Sequence, residues 1–523
     1  MTTRDAEDVS RPDVITPSNT TPTQPKRHSR LHRGVDVLPS SSFKGGRFGR
    51  MFRHLPVFEH QPGALTALAG RMNAPGQPKE NEAIPSGYTY LGQFIDHDIT
   101  FDPVSSLQRQ NDPDALHNFR TPRFDLDSVY GRGPADQPYM YDESDGLTRF
   151  RLGEDVGEVP GETSGAGPDL PRNLPRRSGD VENFFGRALI GDPRNDENLL
   201  VSQLHCTMLR FHNKVMEAVA QQSPLTGDNL FKDVQRLVRW HYQWVVVHDF
   251  LPRIVGQAVV DDILRVEELV VGGHGRPPIA LLRPRFRFYE PSNDAYMPVE
   301  FAVAAYRFGH SMIRGRYFFN DFVKNATGNR PTPIFGPEDP PDELSNLNGF
   351  RRLPAQWAVE WKFLFDMPGS GTAPQPSLAI DTSLAGPLAD LPRTIAKDPP
   401  HSLAERNLQR GLRLALPSGT AVARAMGITP LSANELGIGD LDAALAMHPP
   451  LWFYVLKEAE LLEGGRMLGP VGGRIVAEVL LGLLAHDPLS YLSVEPNWTP
   501  VAPMARDDGS FDMPQLLRFA MQP

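Results

Sequence analysis

The sequence predicts a mainly α-helical protein with little β structure, organised as one large domain. Three observations predict it. Apolar residues recur at helical spacing through long stretches near 199–221, 229–255, 299–313 and 451–484. Runs that alternate apolar and polar residues, the mark of a half-buried strand, are scarce. The Pro- and Gly-rich connectors at 321–352 and 367–402 join pieces without a core pattern of their own, so they read as loops on one body.

In chain order, residues 1–34 are rich in Thr, Pro, Asp and Arg and lack periodicity, which predicts a disordered tail before a domain at 35–523. The short basic run at 26–33 belongs to that tail. Residues 35–90 carry few periodic signals. The turn-rich entry Ile84-Pro85-Ser86-Gly87 leads into 93–100, which reads as the start of a helix. Residues 132–190 read as a long surface excursion. Pro193 suits a first helical turn, and the pattern that follows predicts a helix through about 221. A second helix covers about 229–255. Residues 256–295 look irregular, with a short apolar run near 279–282. A third helix covers about 299–313. The stretches 353–365, 403–426, 433–436 and 451–484 read as mostly helical.

Composition narrows the function. The 523 residues, 40% hydrophobic, suffice for a large core. Lys and Arg number 53 and Asp and Glu 63, so the net charge is 53 − 63 = −10, which argues against a general nucleic-acid binder. Cys206 is the one cysteine, so no intrachain disulfide forms, and a reducing compartment is expected. No apolar run is long enough to span a bilayer and no N-terminal apolar segment is evident, so the expected address is cytoplasmic.

The chemistry is concentrated in Gly92-Gln93-Phe94-Ile95-Asp96-His97-Asp98-Ile99-Thr100. On a helix Gln93, Asp96 and His97 share a face, while Asp98 turns about 100° away from His97. Leu91, Phe94 and Ile95 draw the stretch into a core, where ionisable groups need partners or a metal. Downstream, Thr121, Asp125 and Asp127 place hard oxygen donors within seven residues, the kind calcium gathers. The spacing is not that of an EF-hand. Arg194 and Glu197 stand at i and i+3, and His310 closes Tyr306-Arg307-Phe308-Gly309-His310. Two helical histidines, one with a carboxylate and an amide beside it, and a distant Arg–Glu pair suit a haem held between them. One imidazole ligates iron; a base and a cation face peroxide on the other side. The residue types permit this assembly without showing that the segments converge.

The motifs Leu91-Gly92-Gln93-Phe94-Ile95-Asp96-His97-Asp98, the loop 121–131, Gly191-Asp192-Pro193-Arg194-Asn195-Asp196-Glu197, Tyr306-Arg307-Phe308-Gly309-His310 and Asn407-Leu408-Gln409-Arg410 follow one another in that order. The ending carries Asp487-Pro488-Leu489-Ser490 and Pro496-Asn497-Trp498-Thr499-Pro500. In order and separation, across 85–500, they resemble the animal-type haem peroxidases of the peroxidase–cyclooxygenase superfamily. The resemblance implies one large peroxidase domain with haem between core helices. It implies that His97 is the distal base, Arg194 the distal cation and Gln93 a distal-pocket residue. His310 is implied as the iron ligand, with Asn407 accepting its ring N–H and Arg307 pairing with a haem propionate. Asp96 and Glu197 match carboxylates that form esters with haem methyls in some members. Asp98, the Thr121 side chain and carbonyl, the Arg123 carbonyl, Asp125 and Asp127 match calcium ligands.

The implied cofactors are haem b, ester-linked, and calcium. The implied reaction reduces hydrogen peroxide and oxidises small one-electron donors, halides or pseudohalides, in a response to oxidative stress. Two departures stand out. Asn198 replaces the Met that halide-oxidising mammalian members bond to a haem vinyl, which implies no such link and poor chloride oxidation. Leu412-Arg413-Leu414-Ala415 replaces the usual Arg-Asp-His-Gly run. The alternative is a haem-dependent fatty-acid dioxygenase, whose radical Tyr stands three residues before the proximal His; here that residue is Arg307. A metal-dependent phosphohydrolase built on His97-Asp98, His248-Asp249 and His486-Asp487 explains neither 194–197 nor 306–310.

Overall fold

Two groups of helices face each other across the site. The first centres on Leu199–Ala220, which packs on Gly227–Val245, Gly87–Ile99 and Met513–Ala520. Its first four turns are buried almost all round, including Leu200, Val201, Leu204 and Met208, as expected of a helix at a core centre. Asn198 starts it by accepting a hydrogen bond from the Val201 N–H. The second group is Leu451–Leu462 and Pro470–Ala485, packed on each other and on the segment Glu300–His310. The computed structural model describes residues 46–73, 78–102, 107, 111–112, 116–157, 160–161, 163–173, 186–269, 279–291, 294–336, 345–393 and 395–522. The expected tail at 1–34 lies outside them.

Strands are few and short. Gly46–Gly49 pairs antiparallel with His117–Asn118 and parallel with Met297–Pro298. Glu80–Pro85 pairs with Pro376–Leu378. The mainly helical expectation therefore holds, and no helix among the described residues is long and apolar enough to cross a membrane.

Several local expectations are corrected. The 93–100 stretch is not a helix start but the second half of Gly87–Ile99. That helix begins at Gly87 because the backbone there touches Leu364 and Phe365, where a Cβ would sit 2.3 Å from the Phe365 ring. A helix at Pro62–Asn73 arises in a region without strong periodicity, seated on Leu403–Arg413. The region 256–295 is more regular than expected: Gln257–Ile263 is helical, and Leu264–Leu269 pairs with Ile279–Pro284. Residues 353–365 hold only one short turn, Trp361–Phe363.

The third helix, expected over about 299–313, is instead a wide π turn at Glu300–Ala304 followed by a tight 3-10 turn at Ala305–His310. Side chains claim its carbonyls. Arg307 Nε donates to Ala302 O at 3.0 Å, and Trp452 Nε1 donates to Arg307 O at 3.1 Å. An α ladder would need those same oxygens.

Candidate active site

The sequence-distant motifs converge on one cavity of about 1070 Å³ of empty space, its mouth included. Gln93, Asp96 and His97 line it from the Gly87–Ile99 helix, joined by Glu197 and Asn198. Tyr306, Arg307 and His310 line it from the facing segment. Its outer part is apolar, walled by Ile313, Phe335, Leu388, Leu391 and Leu403.

His97 is buried, and its Nδ1–H donates to Asn195 Oδ1 at 2.8 Å. The Asn195 amide is fixed from its other end, donating to His205 Nδ1 at 3.0 Å. That pairing leaves His97 Nε2 as the unprotonated nitrogen, 3.9 Å from Glu197 Oε1. Burial, with the Arg194 cation adding to it, pushes the His97 imidazole down to about 3, so it is neutral at ordinary pH. Burial also pushes the Glu197 carboxyl up to about 7 and raises Asp96. Gln93 Nε2 donates to Glu197, and Thr100 Oγ1 donates to Asp96 Oδ1 at 2.9 Å.

Arg194 is placed differently from the expectation. It is not among the cavity-lining residues. Its Nη2 donates to the His97 and Thr100 carbonyls at 3.0 and 2.6 Å and to Asp192 at 2.7 Å. The cation thus sits at the C-terminal end of the helix that carries His97, where unpaired carbonyls attract positive charge. Its field still reaches Asp96, His97 and Glu197.

On the facing side, His310 pairs with Asn407 as expected, but the amide is turned. Arg307 Nη1 donates to Asn407 Oδ1 at 3.0 Å, so Asn407 Nδ2 is the atom that donates to His310 Nδ1, at 2.7 Å. Oδ1 already accepts from a cation, which settles which end faces the ring. Burial pushes His310 down to about 3, and Arg307, next to Arg410, down to about 10.

The second cluster lies behind His97. Carboxylate oxygens of Asp98, Asp125 and Asp127 lie within 4.8 Å of one another, all three residues buried. No other such group of metal-ligating side chains occurs among the described residues. Ser128 Oγ donates to Asp98 Oδ1 at 3.1 Å, and Thr121 Oγ1 to Asp125 Oδ2 at 3.1 Å. Burial, then Asp125 and Asp127, hold the Asp98 carboxyl well above the usual range. The Arg123 side chain turns away to Asp487, 3.5 Å off. The doublets at 248–249 and 486–487 do not join either cluster: His248 stacks on Trp244, and His486 Nδ1 donates to Gly482 O.

Sequence reasoning missed Asn195 and Arg120. Asn195 adjoins Arg194, so its motif held the signal. Arg120 ties the two clusters together through Asp127 at 3.2 Å and Asp192 at 2.5 Å; nothing local marks it.

The family model for animal haem peroxidase matches residues 105–435. The chain belongs to the animal haem peroxidase family. The matched residues begin after His97, so the helix that carries it lies outside the match. A peroxidasin homologue of Caenorhabditis elegans is 24% identical over 398 residues, covering 72% of this chain and 27% of its own length. A chorion peroxidase of Aedes aegypti is 24% identical over 331 residues, covering 62% and 37%. The chain therefore spans well under half the length of these relatives. Among solved structures, peroxidase A of Dictyostelium discoideum superposes with a TM-score of 0.59 at 17% identity, over 87% of this chain and 89% of that one. A fatty acid alpha-dioxygenase of Oryza sativa superposes with a TM-score of 0.53 at 14% identity, over 80% and 72%. These likenesses show a shared fold.

Proposed function

We propose that the chain binds haem in this cavity, reduces hydrogen peroxide and oxidises small one-electron donors. One observation carries the reading: two neutral histidines, buried His97 and half-buried His310, each held at Nδ1 by an asparagine, line the same cavity from opposite elements. The donor set fits haem, with an imidazole for iron, apolar walls for the macrocycle and Arg307 for a carboxylate.

His310 Nε2 would be the iron ligand. An imidazole that binds metal through Nε2 carries its proton on Nδ1, so Asn407 must present Oδ1 to it. A haem carboxylate would engage Arg307, which would then free that oxygen. Bound haem supplies the iron at which the peroxide O–O bond breaks. His97 Nε2 takes the proton from one peroxide oxygen and delivers it to the other, which departs as water; its neutral form makes it a competent base. Asn195 keeps that lone pair on Nε2. Gln93 and Glu197 order the space beside it, and Arg194 holds the helix end and biases the local field. Asp96 and Glu197 are the candidates for ester links. Asn198 offers no sulfur for a vinyl link, which favours organic donors over chloride.

Asp98, Asp125 and Asp127, with Thr121 and the Arg123 carbonyl, would hold calcium. Three buried carboxylates repel one another, and Arg120 alone cannot neutralise them. The cation would lock the helix that aims His97.

The optical spectrum of purified protein tests the reading. A Soret band is expected, and His97→Ala should keep it while slowing the reaction with peroxide by roughly 10²–10⁴-fold. A protein without a Soret band, or an unchanged rate, overturns it. Oxygen uptake with a polyunsaturated fatty acid distinguishes the dioxygenase alternative.

A further inference from the structure

Three tyrosines, Tyr88, Tyr90 and Tyr306, line the cavity, and their hydroxyls have different surroundings. Tyr306 donates to the Gly92 carbonyl at a long 3.3 Å. The buried Tyr90 hydroxyl faces another phenol, that of Tyr317. Tyr88 donates to a carboxylate, with both Asp249 oxygens at 2.8–2.9 Å. Asp249 is anchored by the Met513 N–H at 2.8 Å and by Arg253 Nε at 2.8 Å. The Arg253 guanidinium lies 4.5 Å over the Tyr88 ring, and its side chain is 38% exposed. The chain cavity–Tyr88–Arg253 therefore runs from the site to the surface.

A phenol loses an electron readily only when its proton leaves too, because the oxidised phenol is strongly acidic. A carboxylate at hydrogen-bond distance supplies that acceptor; a weakly placed carbonyl or another phenol, a far weaker base, does not. We propose that Tyr88, with Asp249 as its proton acceptor, is a second oxidation site that carries oxidising equivalents from the cavity to donors too large to enter it. This rests on the peroxidase reading above.

In the step, one electron leaves the Tyr88 ring for the cavity. The phenol O–H bond breaks, and its proton moves to Asp249. Hydrogen peroxide is the oxidant: it takes two electrons from the donors and two protons, which the donors release on oxidation or solvent supplies, and becomes two waters. Tyr88 supplies one electron per turn, and a donor electron at the surface restores it, Asp249 returning the proton. The second electron comes from a second turn of the same relay or from a small donor in the cavity. Asp249 acts through Tyr88 and is a positioning residue.

The test is rapid freeze-quench electron paramagnetic resonance of the haem-loaded protein mixed with hydrogen peroxide, with the optical spectrum followed in parallel. A tyrosyl signal is expected in the parent protein. Tyr88→Phe, which removes one oxygen and keeps the ring, should lose that signal while its Soret band still changes on mixing. Tyr90→Phe should keep it, and Asp249→Asn should weaken it with Tyr88 still present. Incorporation of ring-deuterated tyrosine should narrow the parent signal, which assigns it to tyrosine independently of any variant. A signal that persists in Tyr88→Phe, or no tyrosyl signal despite a peroxide-dependent optical change, overturns this inference alone. No optical change with peroxide in the parent overturns the peroxidase reading and this inference with it.

Discussion

His97 and His310 are held by the same atom and the same residue type, yet they adopt opposite tautomers. Asn195 accepts from His97 Nδ1–H because its amide nitrogen is committed to His205, a neutral acceptor. Asn407 donates to His310 Nδ1 because its oxygen is committed to Arg307, a cationic donor. The second partner of each asparagine, not the asparagine itself, decides which ring nitrogen stays free. On the His97 side the free lone pair already faces the cavity as a base. On the His310 side the proposed metal-ligand arrangement would require Arg307 to find another anion. The backbones differ in the same sense: a regular helix on one side, and a π turn followed by a 3-10 turn on the other.

The largest break in this comparison should come from removing each imidazole. His310→Ala should lose most haem binding, seen as loss of the Soret band. His97→Ala should keep the band and lose roughly 10²–10⁴-fold in peroxide reaction rate by stopped flow. Equal effects on haem retention would mean that the two sides are not divided into ligand and base.

Next in size is calcium. Asp98→Ala should weaken calcium binding by at least about 10-fold, measured by titration calorimetry. Chelation of the parent protein should lower both its melting temperature and its peroxide rate without removing haem. A full rate after chelation would uncouple the acidic cluster from His97.

Arg307→Leu addresses the tautomer directly. It frees Asn407 Oδ1, so the His310 proton should move to Nδ1 in haem-free protein, visible in imidazole ¹⁵N shifts. The altered hydrogen bond should cost about 1 kcal/mol of stability. Asn195→Ala is the matching change on the other side and should blur the tautomer of His97 instead.

The smallest effect concerns Glu197. Its carboxyl is pushed up to about 7 by burial, so the folded protein holds this proton more tightly than the unfolded chain does. In haem-free protein the stability should therefore fall as pH rises from the ordinary carboxylate range through about 7, and level off above it. About a quarter of the side chain is exposed, so water screens part of the effect. Glu197→Gln should flatten that slope in denaturant titrations at several pH values.

The regular helices were legible where a local pattern decides them. The 199–221 stretch has its apolar period in adjacent residues, and its C-terminal end matches the observed helix Leu199–Ala220, whereas the first turn expected at Pro193 is a separate 3-10 turn, Pro193–Asp196. The helical phase of Gln93, Asp96, His97 and Asp98 likewise foretold two sites on one helix, because side-chain direction follows from residue spacing alone. The 299–313 stretch carried a helical period as well, but two of its carbonyls are taken by side chains 5 and 145 residues away.

The sequence by itself thus determined the fold class, the family motifs and the helical phase of the residues in the 93–98 stretch. Periodicity, caps and motif order are local properties and survive in a linear string. The tertiary structure decided the rest: Arg194 at a helix end instead of the cavity wall, the turned Asn407 amide, and the Tyr88–Asp249 contact across 161 residues. Each depends on which buried polar group finds which partner. That competition is settled only when distant segments are packed together and water is no longer available to satisfy them.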